Sequence, residues 1–203
     1  MPKLLLATGN NAKLRELVSL FQGLPYELVT PSVIGISAKV DEIGSSMEEN
    51  ARLKATVCAA RSQLLTLADD SGLEVDALGG KPGVLSARYA GAGASDAERI
   101  SYLLSQMKDV PRSKRRAKFR CVIAVATPGG QVNLFSGDCP GFITFEPRGE
   151  MGFGYDPIFY LPRLGKTMAE LPLKIKNRLS HRGKAARKAL PLLKRLSKGK
   201  NIP

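Results

Sequence analysis

The 203-residue chain has no tryptophan, a single histidine, three cysteines, and no apolar run longer than the six residues from Cys121 to Ala126. Each shortage excludes something. Six residues fall far short of the roughly 20 that a helix needs to cross a bilayer, so a membrane-spanning helix is not expected. Cys58, Cys121 and Cys139 are widely spaced and outside any CxxC or Cys/His pairing. They argue against a disulfide framework or a zinc site and read as buried thiols. With one histidine, any metal site has to be built from oxygen ligands, which favours Mg²⁺ or Mn²⁺. The first ten residues carry too few apolar side chains for a signal peptide, so the default location is cytoplasmic. Acid is missing locally: residues 171–203 hold 11 of the 31 Lys+Arg and no Asp or Glu, whereas residues 1–170 hold 20 Lys+Arg and all 18 carboxylates. The net charge of +13 is therefore mostly a property of the tail.

What is present is a globular composition, 43% hydrophobic and 24% charged. Lys3 to Thr8 reads as a short buried strand, broken by Gly9-Asn10-Asn11 before Leu14, Leu17, Val18 and Phe21 recur at helical spacing. Tyr26 to Thr30 is a second strand. Ser46-x-x-Glu49 has capping-box form ahead of a helix from about 46 to 65. Leu65 to Ala68 then runs into Asp69-Asp70-Ser71-Gly72, which places the acidic pair at a strand end or on the turn leaving it. Gly79 to Gly93 should be a loop, and Ser95-Asp96-Ala97-Glu98 repeats the capping box before another helix. Lys118 to Thr127 is a buried strand; Pro128-Gly129-Gly130 turns it back, and Gln131 to Ser136 and Gly141 to Phe145 supply two further strands of an antiparallel meander. A basic C-terminal helix spans about 182–198, with Pro191 expected to kink or restart it. Together the elements fit a mixed α/β sheet flanked by helices.

Four segments can carry chemistry, each with a plainer alternative. Thr8-Gly9-Asn10-Asn11-Ala12-Lys13 joins a strand to a helix, where backbone N–H groups and the helix dipole favour an anion; the same residues also suit simple capping. Asp69 and Asp70 repel each other, and a divalent cation would relieve that, with Asp41-Glu42 supplying further oxygens; alternatively these are turn and capping carboxylates. Gly152-Phe153-Gly154-Tyr155-Asp156-Pro157 could stack a ring on a planar ligand, or be a glycine-rich turn with core aromatics. Ser180-His181-Arg182-Gly183, with Lys176 upstream, could donate from a polar turn to a base carbonyl or a phosphate.

The order of these blocks is more telling than any one of them. Thr8-Gly9-Asn10-x-x-Lys13, Glu49-Asn50-Ala51-x-x-Lys54, Ala68-Asp69-Asp70-Ser71-Gly72-Leu73, Leu78-Gly79-Gly80-x-Pro82-Gly83, Ser86-Ala87-Arg88-Tyr89, Gly152-Phe153-Gly154-Tyr155-Asp156-Pro157 and Ser180-His181-Arg182-Gly183 follow one another along the chain. Together they resemble the inosine triphosphate pyrophosphatase family, from residue 3 to about 190. The resemblance implies a single two-lobed α/β domain over residues 1–203, built on a long mixed sheet flanked by helices, with the nucleotide cleft between the lobes. It also implies a homodimer that uses Mg²⁺, with Mn²⁺ as a substitute. Inosine, deoxyinosine or xanthosine triphosphate would be cleaved to the monophosphate and pyrophosphate, cleansing the nucleotide pool. Carried over by motif, Thr8 to Lys13 would cradle the triphosphate, and Asp70 would be both general base and metal ligand. Asp41 would be the second metal carboxylate, where relatives commonly have Glu, with Glu42 beside it. Ser71 would contact the nucleotide, and Phe153, Gly154, Tyr155 and Asp156 would wall the base pocket. Lys176, His181 and Arg182 would donate to base or phosphate. One departure is Lys174, where relatives usually carry acid before the lysine.

The alternative is a basic nucleic-acid-binding protein on an inactive relative of this fold, motivated by the tail and by Arg112, Lys114, Arg115, Arg116, Lys118 and Arg120. Neither stretch has the interleaved aromatics of a single-strand platform, so nucleic acid would be an accessory ligand of the basic tail.

Overall fold

A computed structural model of the chain describes residues 1–37, Val40 and residues 44–199. It contains a mixed sheet of seven strands in the order β2-β1-β3-β4-β5-β6-β7, with five helices. β1 (Lys3–Leu6) lies parallel to β2 (Glu27–Val29), Leu4 opposite Leu28, and parallel to β3 (Leu65–Val75), Leu5 opposite Thr66. Between them run α1 (Asn11–Phe21) and α2 (Met47–Ser62). β4 (Arg116–Ala126) turns at Thr127–Gln131 into β5 (Val132–Ile143), and β6 (Phe159–Leu161) and β7 (Lys166–Thr167) continue antiparallel at the far edge. α3 (Asp96–Gln106), α4 (Leu173–Leu179) and α5 (His181–Leu196) complete the chain. The expected α/β class with a mixed sheet and flanking helices is what is found.

The chain divides into two compact units, residues 1–70, 121–137 and 182–203 in the first and residues 71–120 and 138–181 in the second. Each has its own core. In the first, Leu4, Leu6, Leu17, Phe21, Leu67, Ile123, Val125, Ala186 and Leu193 are buried together. In the second, Leu73, Ile100, Leu103, Phe119, Ile143, Tyr155, Phe159 and Met168 do the same.

Four local expectations are corrected. β3 does not stop at the acidic pair but runs on through Asp69-Asp70-Ser71-Gly72 to Val75. It is buried along nearly its whole length, as in strands covered on both faces, and that environment overrides the turn-like composition. Likewise β5 is one strand rather than two. Gly137, Cys139, Gly141 and Ile143 are buried while Ser136, Asp138 and Pro140 are exposed, so the two-residue period passes through Pro140-Gly141 unbroken. A Cβ at Gly141 would run into the Phe159 ring and the Tyr160 carbonyl. Within the expected loop, Gly83–Arg88 forms a short 3₁₀ turn, and Asp76–Leu78 forms another just ahead of it. Finally, α5 continues through Pro191. Pro191 and Arg187, four residues earlier, both lie on the exposed side of the helix.

All three cysteines are buried and free, as their spacing suggested. Burial raises the Cys58 thiol, and burial together with the nearby Asp69 carboxylate pushes Cys121 up to about 12. The native protein at about pH 8 should therefore give no fast reaction with an aromatic disulfide reagent, while all three thiols titrate in concentrated guanidinium. A rapid phase from even one cysteine in the native state would contradict this packing.

Candidate functional site

In the first unit the strand-to-helix turn is built on Asn10. Its Oδ1 accepts from the N–H of Ala12 (2.9 Å) and of Lys13 (3.0 Å), and its own N–H donates to the Thr8 hydroxyl (3.2 Å). This is the N-cap of α1, and Gly9, Asn10 and Asn11 are exposed around it. The cap also aims Lys13: from the first turn of α1 its Nζ reaches Asp69 Oδ2 at 3.2 Å.

Asp69 and Asp70 are consecutive in a strand, so their side chains leave opposite faces of the sheet. The repulsion expected of the pair is relieved in this way. Asp69, 1% exposed, also meets Arg182, whose Nε and Nη2 each lie 3.1 Å from Oδ2. Arg182 is itself 1% exposed and gives its Nη1 to Glu16 on α1. Burial works to raise the Asp69 carboxyl, but the positive charges of Lys13, Arg182 and Lys54 overcome it and hold the group well below the usual carboxylate range. The converse holds for Arg182. Burial opposes its charge, while Asp69 and Glu16 outweigh that and raise it above an ordinary guanidinium. Asp70 is treated differently. Its Oδ2 accepts from the neutral amide of Asn50 on α2 (3.2 Å), and the Asn50 Oδ1 accepts in turn from the Gly44 N–H (2.8 Å). One turn on, Lys54 Nζ donates to the Asp69 carbonyl at 3.1 Å.

The second unit holds a separate constellation on the segment after β5. Gly152 and Gly154 have φ of +82° and +62°, left-handed values that glycine adopts without strain. The N–H of Phe153 donates to Asp156 Oδ2 (2.8 Å), and a Cβ at Gly152 would collide with that carboxylate. Lys176 of α4 also donates to Asp156, and its Nζ lies 4.7 Å from the centre of the Phe153 ring. Asp156 and Lys176 are buried. Tyr155 points into the core, its hydroxyl donating to the Ser86 carbonyl (2.9 Å), which leaves Phe153 and Gly154 as the half-buried part of the loop. The His181 ring stacks on Phe119, with centroids 4.7 Å apart and planes at 17°.

The structure thus brings Lys13 and Arg182 together on Asp69, sets Asp70 on Asn50, and gathers Phe153, Asp156 and Lys176. Ser71 follows Asp70, half-buried in β3. His181 and Arg182 are not in a polar turn: both are buried and they open α5. Asp41 and Glu42 lie outside the described residues. Among those described, no three His, Cys, Asp or Glu side chains converge on a metal position. The sequence reading missed Glu16, although it sits one turn after Lys13 on α1 where an apolar residue would otherwise face the core. Asn50 and Lys54 were visible only as an i, i+4 pair inside a motif.

The model of the Ham1 family matches residues 4–192. A curated dITP/XTP pyrophosphatase of Geobacter sulfurreducens is 51% identical over 185 residues, 91% of this chain and 93% of that one. The Bacillus subtilis protein of the same name is 42% identical over 95% of this chain and 98% of its own. Among solved structures, a HAM1 protein from Coxiella burnetii superposes with a TM-score of 0.86 at 41% identity, covering 95% of this chain and 98% of the other.

The ion network has a measurable consequence. A carboxyl whose folded-state pKa is depressed adds stability that is present above its unfolded value of about 3.9 and is lost as pH falls below it. The urea midpoint should therefore hold between about pH 5 and 7 and drop below about pH 4. Replacing Arg182→Met should cost about 3 kcal/mol near neutral pH, because Glu16 and Asp69 stay buried without their shared cation. A midpoint unchanged by the substitution would mean that the network carries no stability.

Proposed function

The chain belongs to the Ham1 family, and on that footing we propose that it hydrolyses non-standard purine nucleoside triphosphates such as dITP and XTP to the monophosphate and pyrophosphate. The observation that carries the mechanism is that two adjacent carboxylates of β3 leave opposite faces of the strand. Asp69 is held anionic by Lys13 and Arg182 and is committed to the fold. Asp70, on the opposite face of the strand, accepts from the Asn50 amide. Asp70 orients the attacking water and takes its proton as the water oxygen bonds to phosphorus and the α–β phosphoanhydride breaks, with pyrophosphate leaving. The turn from Thr8 to Lys13, exposed at Gly9, Asn10 and Asn11, receives the phosphates, and the positive charge of Lys13 offsets theirs.

The donor set suits a hard cation: an oxygen ligand at Asp70, with no histidine or thiolate cluster among the described residues. Asp70, with Asp41, would hold Mg²⁺ or, in its place, Mn²⁺, the remaining ligands coming from water and phosphate oxygens in the manner usual for Mg²⁺. When bound, the metal supplies neutralisation of phosphate charge.

In the second unit, Phe153 offers a ring to the purine, and Lys176 and His181 supply donors suited to a base with an oxygen at position 6, which adenine lacks. Arg182 is spent on Asp69 and Glu16 and contributes by organising them. The same proposal includes a homodimer acting in the cytoplasm, as the resemblance of the motifs implies.

Purified protein with Mg²⁺ should release pyrophosphate from dITP, ITP and XTP in strong preference to dATP, ATP and GTP, and a chelator should abolish the activity. Asp70→Asn should lower kcat by roughly 10²–10⁴-fold with an unchanged melting temperature. Orthophosphate as the product, or a near-native rate for Asp70→Asn, would sink the reading.

A further inference from the structure

We propose that Asp96, so far visible only as the first residue of α3, is a positioning residue for the Phe153-Gly154 segment and thereby sets the affinity for the purine. The inference rests on the reading of that segment as the wall of the base pocket. Asp96 Oδ2 accepts from the Gly154 N–H at 2.6 Å, a bond across 58 residues of sequence. Its Oδ1 is held by Arg99, and the same guanidinium donates to the carbonyls of Ala87 (3.1 Å) and Ala94. The carboxylate is thus fixed from behind before it reaches the loop. A bond to Asp96 is not needed to begin the helix. Ser95 and Glu98 already form a complete capping box, Ser95 Oγ accepting from the Glu98 N–H (3.2 Å) and Glu98 Oε2 from the Ser95 N–H (2.7 Å).

The consequence lies in what the loop is left to offer. Two successive N–H groups in a glycine-rich segment with positive φ would ordinarily form a concave anion site. Here both are already taken by carboxylates, Phe153 N–H by Asp156 and Gly154 N–H by Asp96. Their negative charge makes the segment a poor seat for phosphate. What it still presents is the half-buried Phe153 ring and the bare face of Gly154, which suit a flat, uncharged base. The loop is tied down at one further point, where the Tyr155 hydroxyl meets the Ser86 carbonyl, and the Ser86 hydroxyl in turn accepts from the Leu73 N–H (2.9 Å). Asp96 ties the backbone of half-buried Gly154 to α3, while Lys176 of α4 lies over the Phe153 ring. Losing the Asp96 bond frees Gly154 to leave its left-handed conformation and lets the ring drift.

An interaction with the base that is the same in the ground state and the transition state acts on KM and leaves kcat alone. The test is steady-state pyrophosphate release from dITP by the wild type and by Asp96→Ala, Asp96→Ser and Asp96→Asn, with melting temperatures taken alongside. Alanine and serine are too short to reach Gly154, and serine also suits a helix N-terminus, so at least one folded variant without the bond is available. Asparagine keeps an oxygen in place. Alanine or serine should raise KM about tenfold with kcat within about twofold, and asparagine should restore most of the loss. Unchanged KM in both short variants, or a fall confined to kcat, overturns the role of Asp96 while leaving the pyrophosphatase reading intact. Absence of pyrophosphate release by the wild type overturns that reading, and with it the assignment of Asp96.

Discussion

The first unit depends on the guanidinium of Arg182. It lies buried between two carboxylates from different elements, Asp69 in β3 and Glu16 in α1, and it is carried by the first turn of α5. Removing the guanidinium would take from both buried carboxylates their shared cation, a loss of about 3 kcal/mol or more, so strand and helices are held in one arrangement. Chemistry follows from that geometry. Asp69 meets Arg182 and Lys13, while the neighbouring Asp70 leaves the other face of the strand and accepts from the Asn50 amide. A pair of acids that looks equivalent in the sequence is set on two different surroundings, through the alternation of side chains along a strand.

The second unit uses the same device for a different end. Carboxylates at Asp96 and Asp156 satisfy the backbone of the Gly152–Tyr155 loop, and the Lys176 ammonium both balances Asp156 and lies over the Phe153 ring. Elsewhere in this unit a buried cation is matched without acid. The Arg115 guanidinium donates to the carbonyls of Ile143, Met107, Val110 and Thr144, and lies 4.2 Å from the centre of the Phe145 ring. Arg115, Lys118 and Arg120 belong to the basic cluster that suggested a polyanionic partner. Arg115 is committed to holding backbone, while Lys118 pairs with Glu74 at 3.0 Å and Arg120 faces Asp138 at 3.9 Å. Half of that cluster therefore has a role within the fold.

Elements with explicit start signals were legible in advance. Asn10 caps α1, Ser46 caps α2, and the Ser95/Glu98 box opens α3, because capping is settled among residues three apart. Interruptions were less legible. Asp69-Asp70-Ser71-Gly72 and Pro140-Gly141 have turn composition but lie within strands, and Pro191 lies within a helix. In each case the deciding factor is whether neighbours remote in sequence cover the segment, satisfy its polar groups or leave them to water.

The sequence by itself determined the class of fold, the start of α1, α2 and α3, the burial of the cysteines and, through the order of its motifs, the family. Only the tertiary structure decided what those residues do to one another: that Asp69 and Asp70 face opposite ways, that Arg182 serves Asp69 and Glu16, that His181 stacks on Phe119, and that Asp96 holds Gly154. The physical reason is that a motif specifies donors and acceptors, whereas the strength of each depends on burial and on which partner, often more than 50 residues away, completes it.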